Sequence, residues 1–137
     1  MKKWMSVLEP SLQHSLEWLK EIQQELGWTD KQKVYVGTRA VLQVLRDRLT
    51  IEEASQLGAG MPLIIKGMFY EGFSPGKKHD RVRTQAEFYS RIQHVVPQLP
   101  AEELTAGVLV VLGRRIANGE IDDMLATLPK HLREMMT

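Results

Sequence analysis

The sequence predicts an all-α fold: an internally duplicated helical domain of two pseudo-twofold-related four-helix units packed together. Three observations carry this expectation. Nearly every segment repeats its apolar residues at helical spacing, and none sustains the alternation of a strand. Three segments open with a threonine followed three residues later by glutamine or glutamate, the signature of a capping box. Residues 38–68 also match residues 105–135, without gaps, at ten of 31 positions, where unrelated sequences of this composition would share roughly two.

The elements follow in order. A first helix is expected from Pro10, a favourable first-turn residue, with Leu12, Leu16, Leu19, Ile22 and Leu26 on one stripe and Gly27 as its stop. Trp28, directly after it, is placed to staple the next helix. A second helix opens at the box Thr29-Asp-Lys-Gln32 and turns Val34, Val41, Leu42, Val44, Leu45 and Leu49 inward. The box Thr50-Ile-Glu-Glu53 starts a short third helix ending around Gly58 and Gly60. A fourth runs from Pro62 to Gly72.

After a polar connector, Thr84-Gln-Ala-Glu87 opens a second copy of the first helix, with Phe88, Ile92, Val95 and Val96 as its apolar residues. Pro97 and Pro100 bracket the turn into a helix over residues 100–117. Asn118 is the expected cap of a short helix, and Thr127 and Pro129 precede the last one. The identities between the halves fall on core positions, Val41/Val108, Leu42/Leu109, Val44/Val111 and Leu45/Leu112, and on the helix-starting Pro62/Pro129. The boundaries read as an amino-terminal arm, 1–9, a helical unit, 10–72, a connector, 73–83, and a second unit, 84–137.

Composition bounds the function. Of 137 residues 43% are hydrophobic and 26% charged, with a net charge of +1. That balance gives no overall pull toward nucleic acid or acidic membranes. The absence of cysteine excludes disulfides, thiolate metal sites and cysteine nucleophiles, and suits the cytoplasm. Lys2 and Lys3 imitate a signal peptide, but Glu9 and Pro10 end the apolar run too early. The longest uncharged apolar stretch, "LTAGVLVVLG", is about half a membrane span. The expectation is a cytoplasmic protein with no membrane contact.

Reactive constellations are not legible. His14, His79, His94 and His131 lack metal-ligand spacing. "GFSPGKK" is one residue short of a phosphate loop, carries Lys78 where a hydroxyl should hold magnesium, and follows a helix instead of a strand. "GAG" at 58–60 reads as helix-ending glycine, not as an anion cradle. Arg48/Glu53 recurs as Arg115/Glu120. Each arginine ends a helix and each glutamate sits in a first turn, where dipole and cap explain them. No catalytic residue, metal or cofactor is predicted.

Two surfaces remain as candidates. The arm residues Trp4, Met5, Val7 and Leu8 precede the repeat, and Trp4 has no slot within it, which suits assembly with another subunit, packing within the chain or disorder equally. The connector holds Lys77, Lys78, Arg81 and Arg83 against Asp80, beside Tyr70 and Phe73. Cations interleaved with rings suit nucleic acid or another anionic ligand. A solvated loop whose rings close the core explains them as well.

The stretches "RAVLQVLRDRLTIEEASQLGAGMPLIIKGMFYEGFSP", "RTQAEFYSRI" and "GEIDDMLATLPKHLRE" resemble a bacterial all-helical family known as domain of unknown function number twenty-two sixty-seven. The resemblance spans roughly residues 12–136 and rests on "YEGF", "EF" and "GEIDD…LP". It implies an internally duplicated helical domain and lends no reaction, ligand or site residue. The reading closest to these observations is a non-enzymatic helical module that self-associates or binds a protein partner. Nucleic-acid binding through the connector is the alternative.

Overall fold

Eight α-helices and no strand occur among the described residues of the structure, a computed structural model that describes residues 2–75, 84–116 and 122–137. They are α1 (Lys2–Leu26), α2 (Lys31–Asp47), α3 (Ile51–Ala59), α4 (Leu63–Tyr70), α5 (Gln85–Val95), α6 (Ala101–Arg115), α7 (Asp122–Thr127) and α8 (Lys130–Met136). The all-helical expectation holds.

Helix ends written in short-range chemistry are where the sequence puts them. The Thr50 hydroxyl accepts from the Glu53 amide at 3.1 Å, and the Glu53 carboxylate accepts from the Thr50 amide at 2.9 Å. This reciprocal box satisfies two donors that a helix start leaves open. Thr84 likewise accepts from the Glu87 amide. Pro62, Pro100 and Pro129 precede α4, α6 and α8.

Two helix starts differ from expectation. The cap of α2 is Asp30, whose carboxylate accepts from the amides of Gln32 and Lys33, and Thr29 forms no box. A carboxylate is the stronger acceptor for the first-turn amides. The larger correction concerns α1, which begins at Lys2 and carries Pro10 in its interior. Asn118, the expected cap before α7, lies outside the described residues.

The core is one cluster. α1 lies against α4 and α6, α5 against α2 and α6, α4 on α2 and α8 on α6. Val34, Val41, Leu42, Val44, Leu45 and Leu49 of the second helical segment are all buried, as predicted, and so are Val108, Leu109, Val111 and Leu112. On α1 the buried stripe is Ser15, Trp18, Ile22 and Leu26. Leu16 and Leu19 are half-buried and Leu12 is exposed, so the helix is rotated from the leucine stripe toward Trp18. A tryptophan removes more apolar surface than a leucine, and the rotation follows from that. On α5 Phe88 and Ile92 are buried, as is Val96, while Val95 faces outward.

A buried cation closes α4. Arg46 of α2 is almost fully enclosed. Its Nη1 donates to the carbonyls of Phe69 at 3.0 Å and Glu71 at 2.7 Å, and its Nε donates to Asp47 Oδ1 at 2.9 Å. The guanidinium lies 5.3 Å from the centroid of the Phe73 ring. One and two turns earlier on the same face, Gln43 donates to the Met68 and Glu71 carbonyls and Arg39 pairs with Glu71. The last carbonyls of a helix lack internal partners and form its negative end, so α2 caps α4 from outside. Gly72, at φ 75°, turns the chain in the left-handed region that favours glycine.

Thr38 and Thr105 are fully buried, and neither hydroxyl has a hydrogen-bond partner among the described residues. Thr38 borders a gap too narrow for a water molecule, between Trp18, Ile22, Leu42, Ile65, Val108 and Leu112.

Two stability predictions follow from these contacts. Arg46→Ala strands the Phe69 and Glu71 carbonyls and is expected to cost about 3 kcal/mol, roughly 10 °C in Tm by circular dichroism. Lysine, without the fork that reaches both carbonyls and Asp47, does not restore it. Thr38→Val removes an unsatisfied hydroxyl at nearly constant volume and is expected to leave Tm unchanged or raise it, by up to about 1 kcal/mol. Thr38→Ala, which opens a cavity, lowers it.

Candidate functional site

The first buried residue of α1 is Ser15; residues 3–14 are all exposed. At about 1.5 Å per residue they extend the helix roughly 18 Å beyond the packed body. Trp4 and Val7 are 67% and 66% exposed, and Met5 and Leu8 are 55% and 51% exposed. Leu12 adds a further exposed leucine. The four residues singled out for assembly therefore share one helical arm with apolar side chains in water.

Their placement on the helix is regular. Trp4, Leu8 and Leu12 recur at a spacing of four, and Ser15, Trp18, Ile22 and Leu26 continue at three and four. The face that is covered within the body runs on uncovered into the arm. Together the five exposed side chains present on the order of 500 Å² of apolar surface. A monomeric protein seldom shows more in one contiguous patch.

Where the arm enters the body, the apolar line leads into a cleft between α1 and α2. Leu16, Leu19, Val34 and Tyr35 line it, with Lys20, Gln23, Lys31 and Gln32 at its edge, and its volume is about 300 Å³. Lys20 and Lys31 make no ion pair among the described residues. This surface was not singled out from the sequence. Its residues come from two helices, and Tyr35 had no special spacing to mark it.

The far side of α1 is held by charge. Arg115 binds Glu21 at 2.9 Å and Arg114 binds Glu25 at 2.5 Å. Trp28 is half-buried against the core, and its Nε1 donates to Glu103 of α6 at 3.1 Å. Arg115 thus pairs with a glutamate of α1, and Glu120, its expected neighbour, lies outside the described residues. Glu53 is used in the α3 cap.

Of the connector candidates, Tyr70 and Phe73 are half-buried. The Tyr70 hydroxyl donates to the Ala54 carbonyl at 3.2 Å, and its ring lies so close to Gly58 that a Cβ there would collide with it. Phe73 lies under Arg46. Lys77, Lys78, Arg81 and Arg83 lie outside the described residues. Among the described residues no group of three or more acidic, histidine or cysteine side chains is arranged to hold a metal, and no helix is long and apolar enough to cross a membrane.

A family model described as "Uncharacterized conserved protein (DUF2267)" matches residues 16–135. The chain belongs to the DUF2267 family. The matched span begins at Leu16, immediately after the first buried residue of α1, and does not include the exposed residues 3–14. No curated protein matches the chain.

The proline tests how the arm holds its form. Pro10 cannot donate to the carbonyl of Ser6, and its ring crowds that carbonyl. A dozen-residue helix with no packed face is marginal in water. Pro10→Ala is expected to slow amide exchange across residues 6–14 by at least tenfold and to raise far-ultraviolet helicity, with Tm of the body unchanged.

Proposed function

We propose that this chain is a non-enzymatic helical interaction module, built by duplication of a four-helix unit, whose working surface is the amino-terminal arm of α1. The observation that carries the reading is the exposure of Trp4, Met5, Val7 and Leu8 on one projecting helix. Aromatic and methionine side chains are enriched at protein interfaces, and a helix face docking into a groove is a recurrent mode of recognition. The body supplies a rigid base, because α1 is gripped by α4 and α6 along the stripe that continues into the arm.

Duplication is supported by the ten identities between residues 38–68 and 105–135. It is also supported by where they fall, since Val41, Leu42 and Leu45 and their counterparts Val108, Leu109 and Leu112 are all core residues.

The test compares the full chain with one lacking residues 1–9, using light scattering coupled to size exclusion and affinity capture in parallel. The full chain is expected either to exceed the 15.7 kDa monomer mass or to retain a protein partner, and truncation abolishes both. Monomers of both forms that retain nothing overturn the reading.

A further inference from the structure

We infer that the arm docks on a second copy of this chain, the two arms lying antiparallel so that each tip enters the partner's α1–α2 cleft. The inference rests on the interaction-module reading above and adds the partner and the receiving surface to it.

Three features on the same helix lead to it. Met5, Leu8 and Leu12, spaced by three and four, form the seam expected of one helix packing along another. The line passes without a break into Leu16 and Leu19, which with Val34 and Tyr35 form the apolar lining of the cleft. The arm also projects beyond the body, so an antiparallel partner sets the two bodies at opposite ends of the paired arms. A parallel pair would press them side by side.

The areas agree with a pair. The arm offers on the order of 500 Å² of apolar surface. Tyr35, the half-buried Leu16 and Leu19, and the polar edge at Lys20, Gln23 and Gln32 bring each copy to roughly the 800 Å² per partner of a standard interface. In a twofold pair the same patch serves both copies, so a single arm and a single cleft are used twice. Stacking Leu8 on the partner's Leu12 sets Trp4 and Met5 level with the partner's Leu16 and Ser15, at the mouth of its cleft. The cleft, at about 300 Å³, has room for a large side chain.

The chain lacks cysteine, so paired cysteines can report the geometry in the full-length protein. Light scattering is expected to give twice 15.7 kDa. Leu8→Asp on the arm and Tyr35→Glu in the cleft each are expected to raise the dissociation constant at least tenfold. Both side chains are exposed, and an unchanged far-ultraviolet circular dichroism spectrum of each variant will establish that the fold is intact. On oxidation a mixture of Leu8→Cys and Leu12→Cys chains is expected to yield the crossed disulfide dimer, while either chain alone yields little. Cross-linking of either chain alone indicates a parallel pair and overturns the inference. So does a dimer broken by Leu8→Asp but indifferent to Tyr35→Glu, because the cleft is then not the seat. A monomer up to millimolar concentration overturns it too, including one whose arm binds phosphatidylglycerol vesicles instead. A monomer that captures a different protein through the arm leaves the interaction-module reading standing.

Discussion

The packing of α1 across both α4 and α6 is the contact on which the rest of the structure depends. Trp18, Ile22 and Leu26 are buried there, each contributing about 1.5–3 kcal/mol by leaving water. Ser15, on the same stripe, accepts from the Ile64 amide at the start of α4. That bond satisfies one of the donors that α4 exposes at its amino end, where Pro62 provides no side-chain cap. The ion pairs to Arg114 and Arg115 lie at the edge of this contact and are only partly exposed. They restrict the rotation of α1, and rotation decides which residues the arm presents. A helix turned by one position would expose a different face eighteen ångströms away. The arm's surface chemistry is therefore set inside the body.

At the other end of the core, Arg46 does for α4 what local sequence could not. The last turn of α4 contains no basic residue, and its carbonyls are answered by Gln43 and Arg46 from a neighbouring helix. Burying a cation is costly unless its donors are used. Here two carbonyls, a carboxylate and the Phe73 ring take up the guanidinium. The same arrangement occupies Phe73 and, through the turn at Gly72, fixes the direction in which the chain leaves α4. Tyr70, bonded to Ala54 and packed on Gly58, ties that exit to α3. The two rings beside the connector are thus engaged in holding α2, α3 and α4 together.

What was legible in the sequence divides along the range of the forces involved. The box at Thr50 and the cap at Thr84 could be read because a hydroxyl and an amide three residues apart must meet if a helix starts there. The α2 face could be read because six apolar residues at helical spacing leave little freedom. Asp30 was missed in favour of Thr29 since adjacent cap residues compete, and only backbone geometry decides between them. The stripe of α1 was misplaced by less than a quarter turn, because a leucine row and a tryptophan row lie side by side and tertiary area chooses. Arg46 was invisible: no spacing within α2 announces that its partners are carbonyls more than twenty residues away. Pro10 looked like a helix start because proline usually is one.

That last misreading carries the most physical content. A helix that runs through proline gives up a hydrogen bond and takes on a clash, about 3 kcal/mol in an isolated interior. Here the helix also holds Trp4, Val7 and Leu8 in water as it goes on. Helical propagation from the body offsets part of this, since the nucleus already exists at Ser15 and beyond. Propagation alone does not account for an arm whose apolar residues keep the register of the buried stripe, because a solvated helix has no use for that register. The cleft that opens at Leu16, where the arm meets the body, is lined for the same kind of surface. In the pairing proposed above, the arm of one copy and the cleft of the other are the two halves of one contact.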